Sequence, residues 1–293
     1  MPVLSRGQPY YPLYETYPQL EFLYTEYEKN YDPDVVLDIM KQPAMLYVPI
    51  VAIAAYLAMC YFGTMIMKDR KPFDLRGPLA LWNLFLATFS AWGMIKTVPH
   101  MLHLIATKEF DQTVCDRADS WGGPGTGLAV QLFCLSKLPE LVDTFFIVIR
   151  KKPLIFLHWY HHVTVLAFCW HSYVTESGAG LYFIAMNYTV HAVMYFYYFL
   201  QAMKMVPKWF PTIIITVMQI SQMVVGTSVV CYSIYFKNYG SKNYPEIGSC
   251  NVEFDNLVVG GIIYASYLYL FVEFFVKRYL LSSPKKAKPT KAE

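Results

Sequence analysis

Charge is scarce in this chain. Lys, Arg, Asp and Glu make up 15% of its 293 residues, where an average soluble protein has roughly 25%. So low a share excludes a disordered or solvating segment. The net charge of +3 is too small to point to nucleic acid. Cysteine is sparse, six in all, which excludes a secreted disulfide scaffold. There are seven histidines and no evident glycine-rich phosphate loop. No cleavable signal peptide is expected either, because residues 1–42 are polar and Tyr-rich, with Pro2, Pro9, Pro12 and Pro18. What abounds is apolar. Hydrophobic residues reach 56%, with 25 Tyr and 20 Phe, and the mean hydropathy is +0.31. One soluble core of this size could not hide that much apolar surface. The chain reads as a polytopic all-α membrane protein.

A helix needs about 20 mostly apolar residues to cross a bilayer. Seven stretches qualify: 44–67, 79–96, 128–149, 153–170, 180–200, 209–236 and 256–276. The organisation expected is a Tyr-rich N-terminal tail at 1–43, a seven-helix domain at 44–278 and a basic C-terminal tail at 279–293. Basic residues gather at alternate span ends: Lys68 to Arg76, then Arg150, Lys151 and Lys152, then Lys204 and Lys208, then Lys277 onward. The positive-inside rule therefore sets these ends and the C-terminus in the cytosol and the N-terminus in the lumen. Cys115 and Cys250 fall in the two long loops of the other side, where thiols oxidise, and are expected to form a bridge. The tail around Lys288 and Lys291 resembles a di-lysine retrieval signal, although Pro289 and Thr290 occupy the places of the second lysine.

Ionisable groups inside a bilayer each cost at least ~2.5–3.5 kcal/mol, so each needs a reason. Four spans carry them at helical spacing. The third holds Lys137, Glu140, Asp143 and Thr144, and the fourth His158, His161 and His162. The fifth holds Asn187, His191, Tyr195 and Tyr198, and the sixth Thr216, Gln219 and Gln222. Counted from the cytosolic ends at 1.5 Å per residue, Asp143, His161, His191 and Gln219 all lie roughly 9–15 Å deep. One polar chamber follows if the four helices are neighbours.

The chemistry of that chamber admits three readings. His158-Trp-Tyr-His161-His162 has the shape of a metal-ligand box, but His100, His103 and His171 lie toward the opposite side. Four histidines are too few for a di-iron desaturase or hydroxylase, while a three-His metal site fits the spacing. Alternatively, an imidazole attacks a thioester and a second imidazole moves protons. Burial penalises the imidazolium and keeps such a ring nucleophilic, with Glu140 and Asp143 placed to hold a tautomer. Cys134 and Cys169 are the candidate thiols. A non-enzymatic seven-helix receptor or transporter remains the third class.

Four ordered motifs carry a resemblance over about residues 79–236. They are Lys137-Leu-Pro-Glu140-Leu-Val-Asp143-Thr144, His158-Trp-Tyr-His161-His162, Asn187 through His191 to Tyr198, and Thr216-Val-Met-Gln219-Ile-Ser-Gln222. The chain resembles the ELO fatty-acid elongases, and most of all those acting on saturated and monounsaturated chains. The Tyr-rich tail lies outside the resemblance. The resemblance implies seven transmembrane helices around a closed acyl tunnel with its mouth at the cytosol. It implies a condensing enzyme, a 3-oxoacyl-CoA synthase, that joins acyl-CoA to malonyl-CoA with loss of CO2 and CoA. His161 would take the acyl group and His191 would be its partner, with His158 and His162 completing the catalytic set. Lys137, Glu140, Asp143, Asn187, Tyr195 and Gln219 would support them. Arg150, Lys151, Lys152, Lys204 and Lys208 are positioned for the CoA phosphates. No metal and no cofactor are expected. The expected partners are membrane lipids, the reductases and dehydratase of the elongation cycle and a second copy in a homodimer, all in the endoplasmic-reticulum membrane.

Overall fold

The computed structural model describes residues 3–5, 8–240 and 252–281. A two-stranded antiparallel hairpin opens it, β1 (Val3–Ser5) on β2 (Gln8–Tyr10), with Leu4 opposite Pro9. Short helical turns follow, among them Glu26–Lys29, whose Thr25 and Glu28 form a capping box, and Asp34–Met40. The long helices are α1 (Pro43–Met67), α2 (Arg76–Thr107), α3 (Gly127–Ser136), α4 (Val142–Ile149), α5 (Phe156–Val174), α6 (Gly180–Met203), α7 (Ile213–Tyr235) and α8 (Phe254–Phe275). Among the described residues four helices are long and apolar enough to cross a membrane: α1, α2, and α7 and α8 with their extensions to Tyr239 and Leu280.

The helix ends follow from local chemistry. Pro139 has no N–H and its ring conflicts with the carbonyl one turn back, so the third span breaks. A 3-10 turn, Pro139–Leu141, joins α3 to α4 there. The expected unbroken polar stripe from Lys137 to Thr144 is thereby split across the break. Pro153 keeps the next helix from starting until Phe156. The sixth expected span, α7, starts at Ile213, not at 209, after Pro207 and Pro211. The expected end of the second span at Lys96 is corrected too. Lys96 is 4% exposed and lies 2.8 Å from the Glu28 carboxylate. Its charge is neutralised inside the protein, so the helix has no cause to end there and runs on to Thr107.

α2 and α6 form the most extensive helix pair. Gly93 makes this approach possible, because a Cβ there would lie 2.3 Å from the Tyr188 ring. Beside this pair stands a core of Trp121, Phe133, Trp170, Tyr173 and Tyr188, onto which Leu37 and Met40 of the N-terminal segment pack. α1 instead turns Ile50, Val51, Phe62 and Met65 outward, the surface a lipid-facing helix requires. Cys115 is disulfide-bonded, while Cys60, Cys134, Cys169 and Cys231 are free thiols. Cys250, its expected partner, lies outside the described residues, as do Lys285, Lys286, Lys288 and Lys291 of the basic tail.

Candidate active site

The chamber is built on α5. Its i, i+3, i+4 spacing sets His158, His161 and His162 on one face. The His158 and His162 rings are 4.5 Å apart, and those of His161 and His162 5.5 Å. His191 approaches from α6. All four line one cavity of about 730 Å³, together with Asp143, Asn187, Tyr195 and Gln219. The helices carrying the four motifs are therefore neighbours, as one shared chamber requires.

Buried polar groups reach two of the four rings, those of His158 and His191. Lys137 Nζ donates to Glu140 Oε1 at 2.8 Å, and Ser136 Oγ donates to the same oxygen at 2.8 Å. Lys137 also lies 4.0 Å above the Phe133 ring and donates to Asn187 Oδ1 at 3.4 Å. With its oxygen taken by a cation, the Asn187 amide presents its NH₂ to His191 Nε2, 3.2 Å away. Nε2 must then accept, so the His191 proton sits on Nδ1. Lys137 and Glu140 do not reach the cavity. Asn187 lies between this ion pair and the His191 ring.

The carboxylates do not hold the histidines in the manner expected. Asp143 accepts from Trp82 Nε1 and from the Tyr195 hydroxyl, each at 2.6 Å. Glu140 is committed to Lys137 and Ser136. The group on His158 is neutral: Thr144 Oγ1 lies 2.9 Å from its Nε2, and the Tyr56 hydroxyl lies 2.8 Å from Thr144. A hydroxyl can donate to an imidazole nitrogen or accept from it. Gln219 donates to Met194 Sδ at 3.4 Å. Among the described residues no group of three or more His, Cys, Asp or Glu is disposed to hold a metal ion.

The two ends of the site differ in character. At one end Arg150, Lys152 and Lys204 line the cavity, joined by Arg76, Arg278 and Tyr279, which the sequence had not singled out. Lys151 turns away to donate to the carbonyls of Lys68 and Arg70 at 2.8 and 3.0 Å, and Lys208 is not on the cavity wall. At the other end a second, narrow cavity of about 70 Å³ begins at residues shared with the first: His161, Asn187, Gln222 and Met223. It follows α5 past Val165, Phe168 and Cys169 to Ser172, roughly 16 Å at the helical rise. Trp121, Ser177 and Gly180 line it there as well. Trp82, Tyr56 and Tyr267, whose hydroxyl donates to the His161 carbonyl at 3.3 Å, were missed because each is an aromatic in an apolar helix, where only the fold reveals what its polar atom meets. Arg76 and Arg278 entered the sequence reading only as basic residues at span ends, where they serve equally as a topology signal.

Comparison with known proteins bears on the same stretch of chain. A family model described as ELO, the GNS1/SUR4 family, matches residues 43–288. Very long chain fatty acid elongase 6 of Homo sapiens is 42% identical over 240 residues, covering 82% of this chain and 86% of that protein. The protein of the same name from Gallus gallus is 41% identical over 235 residues, 80% of this chain and 85% of the relative. Fatty acid elongase 3 of Trypanosoma brucei brucei is 40% identical over 269 residues, 83% and 87% respectively.

Proposed function

This chain belongs to the ELO (GNS1/SUR4) family, and from that membership we propose a chemical course for the site. It is a multi-pass membrane enzyme of fatty-acid elongation, of the very-long-chain 3-oxoacyl-CoA synthase type, acting on acyl-CoA and malonyl-CoA. The desaturase, hydroxylase and receptor readings give way to it.

In the proposed course the acyl chain enters the narrow apolar cavity and its thioester stops at His161. The neutral imidazole attacks the thioester carbonyl. The CoA thiolate leaves and takes the imidazole proton, which leaves an acyl-imidazole. CoA departs and malonyl-CoA enters from the basic end, where Arg76, Arg150, Lys152, Lys204 and Arg278 suit its phosphates. Loss of CO2 leaves an enolate on the remaining thioester. The enolate attacks the acyl carbon, the carbon–nitrogen bond breaks and His161 takes up a proton. The product is 3-oxoacyl-CoA, and no further cofactor is needed. His191, held with Nε2 as an acceptor, is suited to steer the malonyl carboxyl and the proton traffic of the second step. An apolar enclosure protects both the acyl-imidazole and the enolate from water.

The observation that carries this reading is the position of His161, at the junction of the polar chamber and the apolar extension. We read seven spans, with α3–α4, α5 and α6 joining the four apolar helices. The basic cavity mouth and C-terminus would face the cytosol and the N-terminus the lumen of the endoplasmic reticulum, where both CoA esters are met on the cytosolic side. A 3-oxoacyl product requires a reductase, a dehydratase and a second reductase downstream, and a homodimer is compatible with the lipid-facing surface of α1. The test is incubation of membranes with radiolabelled malonyl-CoA and acyl-CoAs of graded length. His161→Ala should abolish condensation, and intact-protein mass spectrometry with acyl-CoA alone should find the acyl group on His161. Full activity of His161→Ala together with an inactive Cys134→Ala would replace the imidazole by a thiol.

A further inference from the structure

The N-terminal segment lies largely outside the 43–288 family match, yet it packs beside Trp121, which lines the narrow cavity. Trp121 is 2% exposed where it lines that cavity. It stands edge-on to Tyr173 at 5.3 Å, and Gly180 leaves it room, since a Cβ there would come 2.9 Å from the indole. Behind the indole, in the same buried cluster, are Leu37 and Met40 of the N-terminal segment, 3% and 1% exposed.

The loop that follows Trp121 is Gly-Gly-Pro-Gly-Thr-Gly, residues 122–127. The space left by its missing side chains is occupied by the same segment. The Tyr10 ring rests on Gly123, where a Cβ would be 2.8 Å from Cδ1, and the Tyr10 hydroxyl meets Thr126 Oγ1 at 2.5 Å. Gly125 N–H donates to the Glu28 carbonyl at 2.7 Å. Pro33 packs on Gly127. The segment thus grips the loop that follows the indole and shares its buried cluster.

We propose that the N-terminal segment is a specificity element: it braces Trp121 as the floor of the acyl cavity and so sets the longest acyl chain the enzyme accepts. This rests on the reading of the narrow cavity as the acyl site. An apolar floor held at native packing density rejects an extra pair of methylenes, whereas a floor with space behind it yields. Leu37, Met40 and Tyr10 are positioning residues in this scheme, and Trp121 alone would touch the substrate.

The experiment uses full-length protein in membranes, supplied with malonyl-CoA and saturated acyl-CoAs of graded length. Trp121→Ala should raise the rate on the first rejected chain, relative to the best substrate, by roughly tenfold, the scale on which apolar pockets judge methylenes. Leu37→Ala with Met40→Ala should move the cut-off the same way. Gly123→Ala, which lifts Tyr10 off the loop without shortening any tail side chain, should do so too, and decides the matter if the double variant fails to accumulate. A cut-off that moves in Trp121→Ala but in neither tail variant overturns the bracing role. An active wild type whose cut-off moves in none of them overturns the floor itself. A wild type that condenses no acyl-CoA of any length overturns the underlying acyl-site reading as well.

Discussion

Thr144 illustrates how the smallest polar group can decide a site's chemistry. It stands between the Tyr56 hydroxyl and His158 Nε2, and a hydroxyl can donate or accept without carrying charge. Replacing it by Val keeps the shape and removes the link. Thr144→Val should lower kcat by roughly tenfold or more, as loss of an acid–base partner does, with KM little changed and Thr144→Ser restoring the rate. Steady-state kinetics on membranes from the three forms would check this. His158→Ala, His162→Ala and His191→Ala should each cost about a hundredfold or more in kcat. The histidines were legible in the sequence because three imidazoles on one face of an apolar helix are costly to bury unless they share a task. Their partners were not. Asp143 and Glu140 stood at the right depth, but which neighbour each faces depends on the break at Pro139, and Asp143 is satisfied by Trp82 and Tyr195 instead.

Among the elements, the N-terminal segment was the least readable from sequence and has a defined anchor. Its turn Glu26–Lys29 carries Glu28, buried against Lys96 of α2. Lys96 also donates to the Leu23 carbonyl and lies 4.9 Å from the Tyr24 ring. Burial acts to raise the pKa of Glu28, but hydrogen bonds from Lys96 and Thr25 more than offset it and hold the carboxyl below its ordinary value. The linkage sign follows. A depressed carboxyl pKa adds stability above the ordinary value, and that stability is lost as pH falls through the folded one. Docking of the segment should therefore hold at neutral pH and weaken below about pH 4. Limited proteolysis in detergent across pH would reveal cleavage within residues 9–42 only in acid. Glu28→Gln leaves Lys96 buried without its counter-charge and should cost about 3–5 kcal/mol of docking. Adding Lys96→Met should recover most of it. The sequence displayed Lys96 as an interfacial residue because its partner lies 68 positions away.

On the scale of the whole molecule, a multi-pass helical architecture and one chamber were readable because lipid demands long apolar runs and punishes stray charge. Exact helix ends were less so, since Lys96 and Pro139 changed them through partners and ring geometry that hydropathy does not register. The disulfide at Cys115 lies beyond the far end of α2, the helix whose first residue, Arg76, stands at the basic mouth. Non-reducing peptide mapping should join the Cys115 peptide to that of Cys250, stabilising by roughly 2–4 kcal/mol through closure of a long loop. Two free thiols would contradict both the pairing and the lumenal assignment of those loops.

The division between four strongly apolar helices and the rest has a consequence for biogenesis. α1, α2, α7 and α8 have the length and apolar composition of membrane spans. The segment from Gly127 to Ile149, with Lys137, Glu140 and Asp143, does not, and each charge costs ~2.5–3.5 kcal/mol. On the seven-span reading proposed above, it would wait near the translocon until Asn187, Trp82 and Tyr195 can receive its polar groups, so that membrane entry and tertiary folding become a single event. Grafted alone into a host protein, residues 127–149 should fail a glycosylation-based insertion assay. With α1 and α2 before it and α5 and α6 after, it should insert. Efficient insertion of the isolated segment would contradict this order. If the order holds, Lys137→Ala will register first as a loss of protein from the membrane, and a low specific activity measured without counting inserted molecules would misattribute a defect of assembly to one of catalysis.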